Sequence, residues 1–258
     1  MKGFITFSAL LLLTTCFSCR KVIKVDLNSS SPRYVIEGNV TDQPGPYHVS
    51  ITKSVNFDQD NNFPGVSNAQ VVITDVTSNI TDTLTEESTG YYTTHFITGV
   101  QGHTYSLSVA SGSNVFQATS TIPPAVRIDG IYTEKALFGD NPNTVLVFND
   151  PVGTGNYYHM LLSVGDSTST NLTIIDDALQ DGHKVLWPLR SDIKIVTGDT
   201  ITVEFQCIDK RVFQFYRDLQ LTEGQNSAAP ANPQSNISGG ALGYFSAHTV
   251  DRMKVVAP

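Results

Sequence analysis

The chain has 258 residues, 40% of them hydrophobic and 16% charged, with 16 Lys and Arg against 24 Asp and Glu and a formal net charge of −8. That acidic balance argues against the clustered cations that nucleic-acid phosphates and anionic headgroups require, so no nucleic-acid partner is expected. Attachment to a membrane would have to come from acyl chains.

At the N terminus, Lys2 precedes an apolar run from Phe4 to Leu13 that is too short to span a bilayer as a stable helix. Basic residue, short apolar run and position together predict a signal peptide over residues 1–18. The run ends in TTCFSC, whose two cysteines could be a metal pair, a disulfide or a lipid acceptor. Lipoprotein cleavage wants a small residue before the modified cysteine. Ser18 precedes Cys19, whereas the bulkier Thr15 precedes Cys16, so Cys19 is the expected lipidation site. Cys16 would leave with the signal, and Cys207 would be the one unmodified thiol, which predicts neither a disulfide nor a structural metal in the mature chain. At ~0.8 kcal/mol per buried CH₂, two or three acyl chains hold a protein at a membrane essentially permanently.

Residues 19–32 read as a polar, serine-ending tether. From Tyr34 the chain alternates with period two. Tyr47, Val49 and Ile51 share one face of YHVSITK, Ala69, Val71 and Ile73 one face of AQVVITDV, and Tyr105, Leu107 and Val109 one face of HTYSLSVAS. Turn signals at 43–46, 61–65, 88–90 and 99–103 separate these strands. Pro123 and Pro124 cannot donate to a ladder and mark a boundary. The expected fold is therefore mainly β, with two β-sandwich domains in tandem over 33–122 and 126–258. One helix is predicted near 209–221, with Asp209 as N-cap and Val212, Phe215, Tyr216 and Leu219 along one face. After it, residues 222–240 form a long loop, unusual inside a compact domain. Strands return in ALGYFSAHTV and RMKVVAP.

Few residues combine into chemistry. Cys207 lies in line with Ile201, Val203 and Phe205 and is expected to be buried and inert. The six histidines show no metal-binding spacing, and His48 and His159 fall opposite the apolar faces, so exposed positions are expected for both. DQDNNF at 58–63 begins like a calcium loop, with Asp58, Asp60 and Asn62. It then places Phe63 where the loop needs glycine and Ala69 where it needs glutamate, so a solvated hairpin is the better reading. Asp176, Asp177 and Asp181 near His183 read as turn-formers. No catalytic elbow, phosphate loop or dinucleotide fingerprint occurs in the sequence. No catalytic residue, cofactor or metal site is expected, and the chain does not read as an enzyme. The expected working surface is NPQSNISGGALGYF with the loop before it. Gly239, Gly240 and Gly243 permit close backbone approach, while Asn236, Tyr244 and Phe245 would contact a partner. The alternative is that Tyr244 or Phe245 fills the sandwich core and the glycines enter a bulged strand.

The tether CRKVIKVDL, then YVIEGNVTDQPGPYHVSITKS, then PANPQSNISGGALGYFSAHTVDRMKVV together resemble the Bacteroidetes lipoprotein family known as domain of unknown function 4249. The stretch containing GNVTD, GVSNAQVVITD and GHTYSLSV is similar to transthyretin-like or carboxypeptidase-regulatory sandwiches. The family resemblance implies an outer-membrane lipoprotein, held by acyl chains on Cys19 and encoded beside a TonB-dependent receptor. Arg20 and Lys21 depart from the acidic residues that follow the cysteine in surface-exported relatives, which leaves either the cell surface or the periplasmic face open. Thr83, Ser167 and Thr200 each follow an aspartate and resemble the O-glycosylation acceptors of exported proteins of that phylum. The expected function is a non-catalytic accessory or ligand-binding partner of such a receptor in nutrient uptake. The alternative is a structural or adhesive cell-surface β-sandwich.

Overall fold

Alternating apolar residues turn into paired strands throughout the computed structural model, which describes residues 31–56, 59–135, 141–223 and 232–258. Cys19, the signal segment and most of the tether lie outside the described residues, as do Asp58 and residues 224–231 of the long loop. Pro32–Pro258 make one compact unit. No helix among the described residues is long and apolar enough to cross a membrane.

In the first sandwich, β1 (Tyr34–Thr41) pairs antiparallel with β2 (His48–Lys53), setting Ile36 opposite Ile51 and Gly38 opposite Val49. The layer continues through β6 (Tyr91–Thr93) to the edge strand β5 (Thr85–Ser88). It faces a second sheet of β3 (Gln70–Asp75), β4 (Ile80–Thr83), β7 (Thr104–Ser111) and β8 (Asn114–Thr121), in the order β4-β3-β7-β8. The predicted inward residues meet there: Val49, Ile51, Val71, Ile73, Tyr105 and Val109 are all buried. Each such aliphatic side chain contributes roughly 1.5–3 kcal/mol relative to exposure.

The second sandwich faces β9 (Ile128–Glu134), β10 (Asn143–Asn149) and β14 (Lys184–Leu189) against β11 (Tyr157–Val164) and β15 (Thr200–Ile208). The short strands β12 (Ser167–Thr168) and β13 (Thr173–Asp176) pair with β11. Phe148, Tyr158 and Phe205 pack together at the centre, with ring centroids 4.7–5.1 Å apart.

The C-terminal strand β16 (Leu242–Val256) serves both sandwiches. Val35–Thr41 lie parallel to Leu242–His248, and from Thr249 onward β16 instead runs antiparallel to β15, beginning with Thr249 opposite Cys207. The two inner layers therefore form one nine-stranded sheet, β12-β11-β15-β16-β1-β2-β6-β5 with β13 on β11. This alters the expected segment 126–258. Ile237, Ala241, Phe245 and Ala247 fill the first core, while Met253, Val255 and Ala257 pack against the second. Burial alternates at both ends of β16 and gives way to six consecutive buried residues, Phe245–Val250, where the strand passes from one sandwich to the other. Alternation specifies a face without specifying a neighbour.

Candidate functional site at the helix and the C-terminal strand

Helix α1 (Lys210–Glu223) begins where predicted. Asp209 Oδ1 accepts the amides of Arg211 at 2.8 Å and Val212 at 3.0 Å, as an N-cap should. Its second oxygen accepts the Ser120 hydroxyl, and that hydroxyl accepts the Ala247 amide at 2.8 Å. One aspartate thus ties the helix start to β8 and β16. Val212, Phe213 and Phe215 are buried. Phe213 lies off the predicted stripe because the helix packs on a broad sheet face, where Tyr157 meets it with ring centroids 4.9 Å apart.

Several of the expected partner-contact residues also make contacts within the chain; Gly239 and Gly240 are exposed, Asn236 and Tyr244 half-buried. In β16, Phe245 is fully buried in the first core, and Tyr244 points the other way, 5.1 Å from Phe215 and 5.3 Å from Tyr216 between ring centroids. Opposite orientation of consecutive strand residues makes both placements necessary. The Asn236 side chain acts as a missing strand partner: its amide nitrogen donates to Phe245 O at 2.7 Å and its oxygen accepts Phe245 N at 3.0 Å. Gly243 has φ of +91°, and a Cβ there would lie 2.1 Å from Ile36 O. At Gly239, a Cβ would lie 2.4 Å from Val115 O. Gly240 has open space around it, and its carbonyl accepts the Arg33 guanidinium at 2.8 Å. Gly243 and Gly239 thus admit the protein's own backbone, and Gly240 does not.

Beneath α1, the outer face of the nine-stranded sheet carries a polar chain. His159 Nδ1 donates to Gln206 Oε1 at 2.8 Å, Gln206 Nε2 donates to Glu204 Oε1 at 2.6 Å, and Arg252 Nε donates to Glu204 Oε2 at 2.7 Å. His159 is buried, against expectation. It does face away from the second core, but Tyr216 covers it with ring centroids 4.4 Å apart. Burial lowers its pKa against the opposing pull of Gln206 and Glu204. His248, on β16, shares a 2.9 Å hydrogen bond with Ser246, and burial pushes its pKa down to about 4. The Tyr216 phenol is held well above its ordinary range, first by burial and then by Tyr244. His48 is half-buried, bonded to Thr93 at 3.0 Å and stacked on Tyr91.

Aspartates do the anchoring elsewhere. Asp82 is fully buried and accepts the amides of His95, Phe96 and Ile97 at 2.8–3.2 Å and His95 Nδ1 at 2.9 Å. Burial alone would raise its pKa, but those donors outweigh burial and lower it. Asp177 and Asp181, read from sequence as turn-formers, come together with Asp150, their oxygens within 4.8 Å of one another. Each already accepts from the protein: Asp150 from Tyr158 OH and Gly182 N, Asp177 from Asn156 N at 3.0 Å, and Asp181 from Gly153 N at 2.6 Å. Asp150 carried no sequence signal, because only the loop packing brings it to the other two.

Cys207 is buried, accepts the Val126 amide at 3.3 Å and has its thiol pKa raised by burial. Thr83, Ser167 and Thr200 are all exposed. Among the described residues, hollows line the N-terminal half of α1. One of about 230 Å³ lies between Thr119–Thr121 and Asp209–Arg211. One of about 360 Å³ reaches from Thr121 and Lys210 to Tyr157, and one of about 330 Å³ lies between Arg211, Gln214 and Ser235–Ser238.

Sheets facing one another over buried aliphatic and aromatic layers, with a single helix among the described residues, define a mainly β protein of the sandwich class. The chain belongs to the family described as domain of unknown function (DUF4249), which matches residues 20–254. Among solved structures it is similar to a two fibronectin type III domain segment from chicken tenascin, at 13% identity over 69% of this chain and 91% of that one, with a TM-score of 0.22. No curated protein matches.

Proposed function

We propose that this protein is a non-catalytic lipoprotein of the outer membrane, anchored through acyl chains on Cys19, that captures a ligand or partner for a TonB-dependent receptor. The observation that carries the reading is how the ionisable side chains are used. Asp82, Asp177, Asp181 and Asp209 each hold backbone amides of a loop or a helix start. Carboxylates spent on rigid loops suit a binding scaffold, because binding surfaces work best on elements that do not have to be ordered at the moment of contact. The sequence supports the anchor through Lys2, the apolar run and Ser18-Cys19. The exposed Thr83, Ser167 and Thr200 fit glycosylation of an exported protein. A structural or adhesive role draws its support from the single sheet that runs through both sandwiches.

Fatty-acid labelling tests the anchor. Wild type and Cys16→Ala should take up label and sediment with outer membranes, and Cys19→Ala should do neither. Label that survives Cys19→Ala but disappears with Cys16→Ala overturns the assignment. Recovery of the neighbouring receptor with affinity-tagged wild type tests the partnership, and adhesion that persists in a strain lacking that receptor favours the structural role.

A further inference from the structure

We infer that the groove between the end of β8 and the first turns of α1 receives an extended, acidic segment of a partner protein, added as a strand to β8. The inference rests on the binding reading above and is independent of the lipid anchor.

β8 is the last strand of its sheet. Its outer edge meets one isolated bridge, Gln117 with Ser238, in which Ser238 N donates to Gln117 O at 2.7 Å. Val115 O faces the same side, since it is the atom a Cβ on Gly239 would strike. Backbone groups of a strand alternate direction, so Thr119 and Thr121 also turn their N–H and C=O outward, into the 230 Å³ hollow. One larger hollow shares Thr121, Asp209 and Lys210 with it, and the other shares Arg211 and is lined by Ser238, the residue bridged to Gln117. An extended chain laid along this line would gain main-chain hydrogen bonds from β8 and would rest its side chains in the flanking hollows.

The far wall sets the chemistry. Lys210 and Arg211 are exposed there, and the first turn of α1 holds no acidic residue. Both cations therefore sit at the positive end of the helix dipole, the end that favours anions. Asp209, the nearest carboxylate, already accepts Ser120 and two helix amides. In a chain of net charge −8, this is a local cationic wall beside an open strand edge. Carboxylates on the incoming segment complement it.

The test uses the purified full chain and three fluorescein-labelled ten-residue probes in anisotropy titrations. The first alternates Glu with Thr and Val, the second carries Lys in place of each Glu, and the third is the Glu peptide with alternate amides N-methylated. The Glu peptide should bind roughly tenfold or more tightly than either counterpart, because charge and strand pairing are both required. It should slow hydrogen exchange at Thr119 and Thr121. The double substitution Lys210→Glu, Arg211→Glu should weaken it at least about tenfold without lowering the melting temperature, since exposed side chains contribute little to folding. Equal binding of Glu and Lys peptides, undiminished binding of the N-methylated peptide, no binding at millimolar peptide, or protection elsewhere each overturns the proposal. So does self-association that the double substitution abolishes, which would make a second copy the occupant. If receptor recovery fails while the peptide binds, the accessory reading falls and the groove stands; the reverse result sinks the groove alone.

Discussion

The two sandwiches use the same alternation and close in different ways. The second draws its core from Ile128 through Cys207, with the last residues of β16 added at one edge. The first takes its core from Ile36 through Ile122 and is complete only when Ile237, Ala241, Phe245 and Ala247 return from the far end of the chain. The first sandwich therefore depends on a segment that the second sandwich also holds. Parallel pairing of β16 with β1 closes the ring of dependence, and it carries a loop-closure cost that local hairpins avoid.

The largest effect should separate the neighbours Tyr244 and Phe245. Phe245→Ala empties a fully buried ring position in the first core and should cost about 3–5 kcal/mol. Tyr244→Ala, partly exposed against the helix, should cost less and loosen α1 rather than the sandwich. Equal losses in chemical denaturation would mean that the two faces of β16 are not energetically distinct.

A smaller contrast lies in the glycines. Gly243→Ala adds a Cβ 2.1 Å from Ile36 O at positive φ, and backbone strain plus displacement should cost about 2–5 kcal/mol. Gly240→Ala, also at positive φ but with open space, should cost only about 1–2 kcal/mol. Melting temperatures of the two variants give the comparison directly.

A further contrast is a pH dependence. His248 has a folded pKa of about 4 against 6.5 unperturbed, so between those values the unfolded chain holds the extra proton. Stability is full above pH 6.5 and falls as pH drops towards about 4, with a slope from this group of at most about 1.4 kcal/mol per pH unit. His159, also lowered by burial, adds to the same trend. His248→Asn should flatten the slope in urea titrations run from pH 7 to 4.5; an unchanged slope would assign the acid sensitivity to other groups.

Much of this was legible along the chain because it is local. Asp209 as cap, Val212 and Phe215 as the buried helix stripe, and Val49 and Ile51 as inward residues follow from spacing alone. The opposed placement of Tyr244 and Phe245 follows from the pleat. What was not legible depends on distant partners. His159 lies on the polar face its spacing implies, yet that face is covered by Tyr216. Asp150 joins Asp177 and Asp181 only through loop packing. The glycines of NISGGALG read as a surface for a partner's backbone, and the backbone that approaches Gly243 and Gly239 is β1 and β8 of the same chain.

That sharing of β16 is the centre of the account, and Trp187 allows it to be tested. It is the chain's one tryptophan, on β14, packed against the second core and away from the first. Urea unfolding of wild type and Gly243→Ala should be followed by Trp187 fluorescence beside hydrogen exchange of β1 and β2 amides. If the shared strand couples the sandwiches, the substitution in the β1–β16 contact will move the Trp187 midpoint to lower urea together with loss of first-sandwich protection. A Trp187 midpoint that stays at its wild-type value while β1 and β2 lose protection would contradict it.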